Sequence, residues 1–151
     1  MALSGKRVFQ FEIKSSGNLF HELWKTKPHE LPSLTPTTIQ NCQVLDGQVG
    51  TVGSILLWNY FHDGKDCVSK ARIKDINESK KSITFEVLEG DVLEQYKTFI
   101  SHVQVDKHGS NNLVSWTVEY EKLNPNIPDP DTFMEICKQM AKDIETHHLQ
   151  N

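Results

Sequence analysis

The chain has 151 residues, 37% of them hydrophobic and 24% charged, which excludes a disordered chain and suits one folded domain over residues 1–151. Sixteen basic against twenty acidic side chains leave a formal charge of −4. The basic pairs Lys6-Arg7 and Lys80-Lys81 fall short of the clustered footprint that nucleic acid or an anionic membrane surface requires.

Residues 7–14 alternate, with Phe9, Phe11 and Ile13 apolar and Gln10, Glu12 and Lys14 polar, so a half-buried strand is predicted. Ser15-Ser16-Gly17-Asn18 offers capping chemistry, and Leu19, Phe20, Leu23 and Trp24 then take helical spacing. A helix is expected near 17–24. Pro28, Pro32 and Pro36 each remove a donor and fix φ, so the second helix, near 26–33, must be short and broken.

From there strand follows strand: 39–45, 54–61, 67–76, 82–88, 96–105 and 113–121. Between them lie a glycine turn (Gly47, Gly50, Gly53), the hairpin signal Asp63-Gly64, the turns 77–79 and 89–91, and a turn over 107–110. After a rigid loop ending at Pro130, Asp131 or Thr132 can cap a helix, with Glu135 completing a capping box for Thr132. Phe133, Ile136, Cys137, Met140, Ala141 and Ile144 then form one apolar stripe. The pattern predicts an α+β fold: a seven-stranded curved antiparallel sheet around a long C-terminal helix, with two short helices. A curved sheet and a single helix can meet at their rims and leave a pocket between them. Periodicity alone leaves open whether that interior is filled or hollow.

The sequence carries few signs of catalysis. The glycine stretch 47–53 has no following Lys and leads into a strand, unlike a phosphate loop. Seven histidines are scattered without metal-ligand spacing, and adjacent His147 and His148 point to different helix faces. Cys42, Cys67 and Cys137 are odd in number and lack motif spacing, which predicts reduced thiols. No nucleophile motif, metal site or cofactor is assigned. The start lacks an apolar signal-like run, and no segment approaches the roughly 20 apolar residues of a membrane helix. A cytoplasmic protein, monomeric or weakly dimeric, without stable membrane association is therefore expected.

Several segments together resemble the major latex protein branch of the plant Bet v 1 / START-like superfamily. They are Leu3-Ser4-Gly5-Lys6, Phe20-His21-Glu22-Leu23-Trp24, Gly47-x-x-Gly50-x-x-Gly53-Ser54, Leu57-Trp58-Asn59-Tyr60, 85–91, 114–122 and 143–149. Each is weak alone, and their order and near-complete coverage carry the likeness. The resemblance implies the helix-grip fold and a large internal cavity for sterols, fatty acids, phytohormones or flavonoids. It also implies a link to defence and stress. One departure stands out: the glycine loop of the allergen branch is denser and ends in Lys, which weakens any nucleotide or ribonuclease reading here.

The expected function is therefore non-enzymatic binding of an apolar ligand. The candidate contacts are Phe9 and Phe11 on the first strand, Phe20 and Leu23 on the first helix, and Leu56, Trp58 and Tyr60 on the third strand. Phe85, Val87, Phe99, Ser101, Val103, Trp116 and Val118 follow on later strands, with Phe133, Cys137, Met140 and Ile144 on the last helix. The alternative is an enzyme of isomerase or condensing type in the same cavity, with His21, His102 or a tyrosine as general acid–base.

Overall fold

The computed structural model describes residues 3–14 and 16–150, with side chains through His147. Ser15, the Met1-Ala2 start and the side chains of 148–150, which figure in the expectations above, lie outside the described residues.

Strand β1, Ser4–Ile13, alternates exposed and half-buried residues and ends on fully buried Ile13. Ser16 then caps helix α1, Gly17–Lys25, its hydroxyl accepting the Asn18 N–H at 3.2 Å. The buried face of α1 carries Phe20, His21, Leu23 and Trp24. Thr26 closes α1 by donating its backbone N–H to the Glu22 carbonyl, so the next helical segment starts at Pro28, two residues later than expected. It is a 3-10 turn, Pro28–Glu30, followed by the single turn α2, Leu31–Leu34. Prolines at the start of both segments keep them short.

Six further strands complete the sheet: β2 Ile39–Asp46, β3 Ile55–His62, β4 Lys65–Asn77, β5 Ser82–Gly90, β6 Tyr96–His108 and β7 Asn111–Lys122. The order is β1-β7-β6-β5-β4-β3-β2, and every neighbouring pair is antiparallel. Asp63 (φ 52°) and Gly64 (φ 78°) are both left-handed, the backbone a two-residue hairpin turn needs. The turn expected over 107–110 contracts to Gly109-Ser110, because Lys107 and His108 stay paired with Asn112 and Asn111. Register shifts in β2, between β4 and β5 and near the start of β6 bend the sheet.

At Gly90 (φ 138°) a Cβ would stand 2.3 Å from the Val68 carbonyl oxygen, so only glycine lets β5 end this close to β4. A 3-10 turn, Asp91–Glu94, follows directly and turns Val92 into the interior.

Helix α3, Asp131–Gln150, packs on β1, β3 and α2. Its first hydrogen bond runs from Met134 N–H to the Pro130 carbonyl at 3.0 Å. Asp131 and Thr132 therefore lie inside the first turn, and the expected Thr132–Glu135 capping box does not form. The Thr132 hydroxyl instead meets His62 Nε2 at 2.8 Å and Asp63 at 3.3 Å, while Asp131 accepts from Arg7 Nε at 3.0 Å. The apolar stripe turns inward: Cys137, Ala141 and Ile144 are fully buried, with Met140 beside them. Thr35 at the end of α2 donates to Asp143 at 2.8 Å and ties the short helices to the long one.

Candidate ligand chamber and vestibule

Alternation along each strand decides which side chains meet inside the sheet. On β3 it turns Leu56, Trp58 and Tyr60 inward; on β4 it turns Cys67, Ser69, Ala71 and Ile73. Paired positions set large groups against small ones: Trp58 lies opposite Ser69, Phe85 opposite Ser101, and Ala71 lies between Leu56 and Val87. Small residues facing large ones across neighbouring strands leave volume that the helices fill only in part.

The result is an interior chamber with about 90 Å³ open to a water-sized molecule. Its walls come from Trp24 on α1, Thr38 and Ile39 before and on β2, the inward faces of β3 to β7, Val92, and Phe133, Ile136 and Met140 on α3. Drug-sized pockets span roughly 300–1,000 Å³, so the chamber as it stands is tight. Aromatic rings account for this. Trp24 reaches from α1 into the middle of the sheet, its ring centroid 5.1 Å from Trp116, 5.9 Å from Trp58 and 6.2 Å from Phe85. At the other end Phe133 stands edge-on to Phe99 at 4.8 Å and to Tyr60 at 6.4 Å. Edge-to-face pairs of this kind contribute about 0.5–1.5 kcal/mol each beyond area burial. All three tryptophans of the chain, Trp24, Trp58 and Trp116, line the chamber.

Its polar groups are few and mostly idle. Trp24 Nε1, Tyr60 Oη and Trp116 Nε1 are buried without a hydrogen-bond partner. Thr38, Ser69 and Ser101 add hydroxyls, and among the described residues no Lys, Arg, His, Asp or Glu lines the space. Burial, reinforced by Cys67 and Asp91, pushes the Tyr60 phenol well above its ordinary pKa, so it stays a neutral donor.

A second, polar space of about 240 Å³ adjoins the chamber, and Val92, Phe99 and Phe133 line both. This vestibule lies among the β3–β4 turn, the Asp91–Glu94 turn, the loop before α3 and the first turn of α3. Several polar groups in it and beside it are tied down. Tyr96 donates to the Pro128 carbonyl at 2.6 Å and Tyr120 to Asp129 at 2.7 Å. Lys122 pairs with Asp129 at 3.1 Å, Arg7 pairs with the same carboxylate, and Asp91 accepts from Val68 N–H at 2.7 Å and pairs with Lys65. Burial pushes the Tyr96 and Tyr120 phenols up to about 12, Tyr120 helped by its bond to Asp129. The Tyr120 hydroxyl and then Lys122 hold the Asp129 carboxyl below its usual range; the Val68 N–H and then Lys65 do the same for Asp91. Lys65 faces Asp63, Asp91, Glu94 and Asp129 across this space, so the vestibule leans negative.

Of the residues nominated from the sequence, Trp58, Tyr60, Phe85, Val87, Phe99, Ser101, Trp116, Phe133 and Met140 line the chamber. The others lie outside it. Phe20, Leu23, Leu56, Val103, Val118, Cys137 and Ile144 are buried in the surrounding core, and Phe9 and Phe11 pack half-buried against it. Phe9 stacks on Trp116 at 5.9 Å. Sequence reasoning did not nominate Trp24, Thr38, Ile39, Ser69, Ala71, Val92 or Ile136. For Ser69 and Ala71 the signal was present: both are small residues in the inward register of a strand.

The candidate acid–base histidines stand elsewhere. His21 is buried beside the β4–β5 turn, its Nε2 3.5 Å from Glu78 Oε2 without hydrogen-bond geometry, and burial lowers its pKa. His102 meets Thr84 at 2.7 Å, with neither residue in the chamber wall. Cys42, Cys67 and Cys137 are buried thiols, and burial pushes Cys42 up to about 12. Among the described residues no cluster of three or more His, Cys, Asp or Glu could hold a metal, and no helix is long and apolar enough to cross a membrane.

This architecture has close counterparts. A crystal structure of ginseng major latex-like protein 151 from Panax ginseng superposes with a TM-score of 0.96 at 44% identity, covering 98% of this chain and 99% of that one. MLP-like protein 31 of Arabidopsis thaliana is 41% identical over 150 residues, 98% of this chain and 88% of its own length. MLP-like protein 34 of the same plant is equally similar, and this chain spans 48% of its length. The model of the pathogenesis-related protein Bet v 1 family matches residues 2–151. The chain belongs to the Bet v 1 family. The Bet v 1 fold is a hydrophobic-ligand-binding fold, and the major latex-like proteins are the relatives this member matches.

Proposed function

We propose that this protein binds and carries hydrophobic small molecules in the chamber, without catalysing their conversion, as part of a plant defence or stress response. The observation that carries this reading is the apolar space enclosed between the sheet and α3, walled by aromatic rings and free of fixed charge. Trp58, Tyr60, Phe85, Phe99, Trp116 and Phe133 make the principal contacts; Val87, Ser101 and Met140 complete them. The other nominated residues act from behind as the wall that holds these groups in place.

The candidate ligands are phytohormones, flavonoids, fatty acids and sterols. The smaller of these need the least movement of Trp24 and Phe133, whereas a sterol requires both rings to shift. Flexible Met140 accommodates varied shapes, so specificity is broad. The expected affinity is near 1 μM, about −8 kcal/mol. We place the protein in the cytoplasm, as a monomer or weak dimer.

Titration with the neutral dye N-phenyl-1-naphthylamine tests the reading. Its emission should rise saturably, chamber tryptophan emission should fall in step, and a phytohormone, a flavonoid, a fatty acid or a sterol should displace it. Flat titrations with the dye and with all four competitors would sink the proposal.

A further inference from the structure

The chamber and the vestibule differ in what they offer a polar ligand group. Three donors of the chamber, Tyr60 Oη, Trp24 Nε1 and Trp116 Nε1, are buried and unpartnered. Buried donors without a partner are uncommon in folded proteins, and each calls for an acceptor. Among the described residues no cationic side chain lines the chamber. In the vestibule Lys65 is paired with Asp91 and His62 meets Thr132 and Asp63, while Arg7 and Lys122, outside its lining, are paired with Asp129. Asp63 and Glu94 add negative charge to the same rim. An anionic headgroup would thus lose its hydration without gaining a free cation in either space.

We infer that the chamber selects uncharged apolar ligands that carry a hydrogen-bond acceptor, such as a ketone, aldehyde or ester, over carboxylates of the same shape, with Tyr60 as the principal donor. This inference rests on the proposed ligand-binding function and, within its candidate ligands, ranks neutral carbonyl compounds above fatty acids and other carboxylates of similar shape. A neutral carbonyl takes the hydroxyl of Tyr60, or one of the two indole N–H groups elsewhere in the chamber, at little desolvation cost. A hydrocarbon leaves these donors idle, and a carboxylate adds an uncompensated charge. Tyr60 stands edge-on to Phe133, which lines both the chamber and the vestibule.

Three probes of nearly equal shape test this by isothermal titration calorimetry at pH 8: 2-acetylnaphthalene, 2-isopropylnaphthalene and 2-naphthoate. The ketone should bind about five- to tenfold tighter than the hydrocarbon, and the carboxylate more than tenfold weaker than the ketone. In Tyr60→Phe, checked for folding by its thermal melt, the ketone-to-hydrocarbon ratio should fall toward one. A carboxylate as tight as the ketone, a wild-type ratio of one, or an unchanged ratio in Tyr60→Phe would each overturn the inference. If the hydrocarbon binds and the ketone gains nothing, ligand binding stands and the selectivity fails. If none of the three binds while N-phenyl-1-naphthylamine does, the ligand class fails alone; if that dye is silent too, the binding function fails with it.

Discussion

In the vestibule Tyr96, and beside it Tyr120, each spend their hydroxyl on the loop before α3, on the Pro128 carbonyl and on Asp129. Across the shared wall of Val92, Phe99 and Phe133, Tyr60 carries the same hydroxyl with no partner, and so do the Trp24 and Trp116 N–H groups. The same phenol thus serves structure in one space and stands unused in the other. The vestibule is a clamp that pins the start of α3. The chamber keeps its polar groups uncommitted, at a cost in stability that a bound acceptor would offset.

Four measurements break or sharpen this contrast. Trp24→Ala has the largest expected effect, because it removes the ring that meets Trp58, Phe85 and Trp116. Urea unfolding should show a loss of about 3–5 kcal/mol. The surviving fold should take up larger ligands, and a variant as tight as wild type toward a sterol would show that Trp24 does not limit size.

Tyr120→Phe should cost about 1 kcal/mol in the same assay, since Asp129 keeps Arg7 and Lys122 after losing the phenol. Equal stability would mean that the clamp contributes nothing.

The clamp should also show in the pH profile. Asp91 and Asp129 have folded pKa values below their ordinary ones, so their contribution is present above the usual aspartate range and lost as pH falls through the depressed values. The acid limb below about pH 4 should flatten in Asp129→Asn, read by thermal melts across pH. An unchanged limb would remove Asp129 from the account.

Tyr60→Phe, the same chemical change as Tyr120→Phe, should leave stability within about 0.5 kcal/mol of wild type or raise it slightly, because its hydroxyl has no partner to lose. A loss equal to that of Tyr120→Phe would erase the distinction between the two spaces.

Much of the fold was legible in the residues. Period-two alternation marks Phe9-Gln10-Phe11-Glu12-Ile13 as a strand. Asp63-Gly64 dictates a two-residue hairpin, and the Phe133–Ile144 stripe dictates a helix with one buried face. These are local rules, and local neighbours suffice to apply them. The α3 cap misled for a related reason. Thr132 and Glu135 have capping-box spacing, but Arg7, His62 and Asp63, all distant in sequence, engage the Asp131 and Thr132 side chains.

The site was legible only in part. Inward aromatics such as Trp58 and Trp116 follow from strand phase, but a filled core and a hollow one need the same residues on the same face. Cys137 and Ile144 share the stripe of Met140 and Phe133 yet lie outside the chamber wall, a difference that depends on what each faces across the interior.

By itself the sequence determined the elements, their order, their inward faces and a family likeness, because each depends on residues near one another in the chain or on a pattern spread along it. The tertiary structure decided that small Ser69, Ala71 and Ser101 would lie opposite large neighbours, that Trp24 would occupy the space they leave, and that one tyrosine would remain unpaired while two others would not. Packing and hydrogen-bond satisfaction are properties of side chains brought together from distant strands, and no local period encodes them.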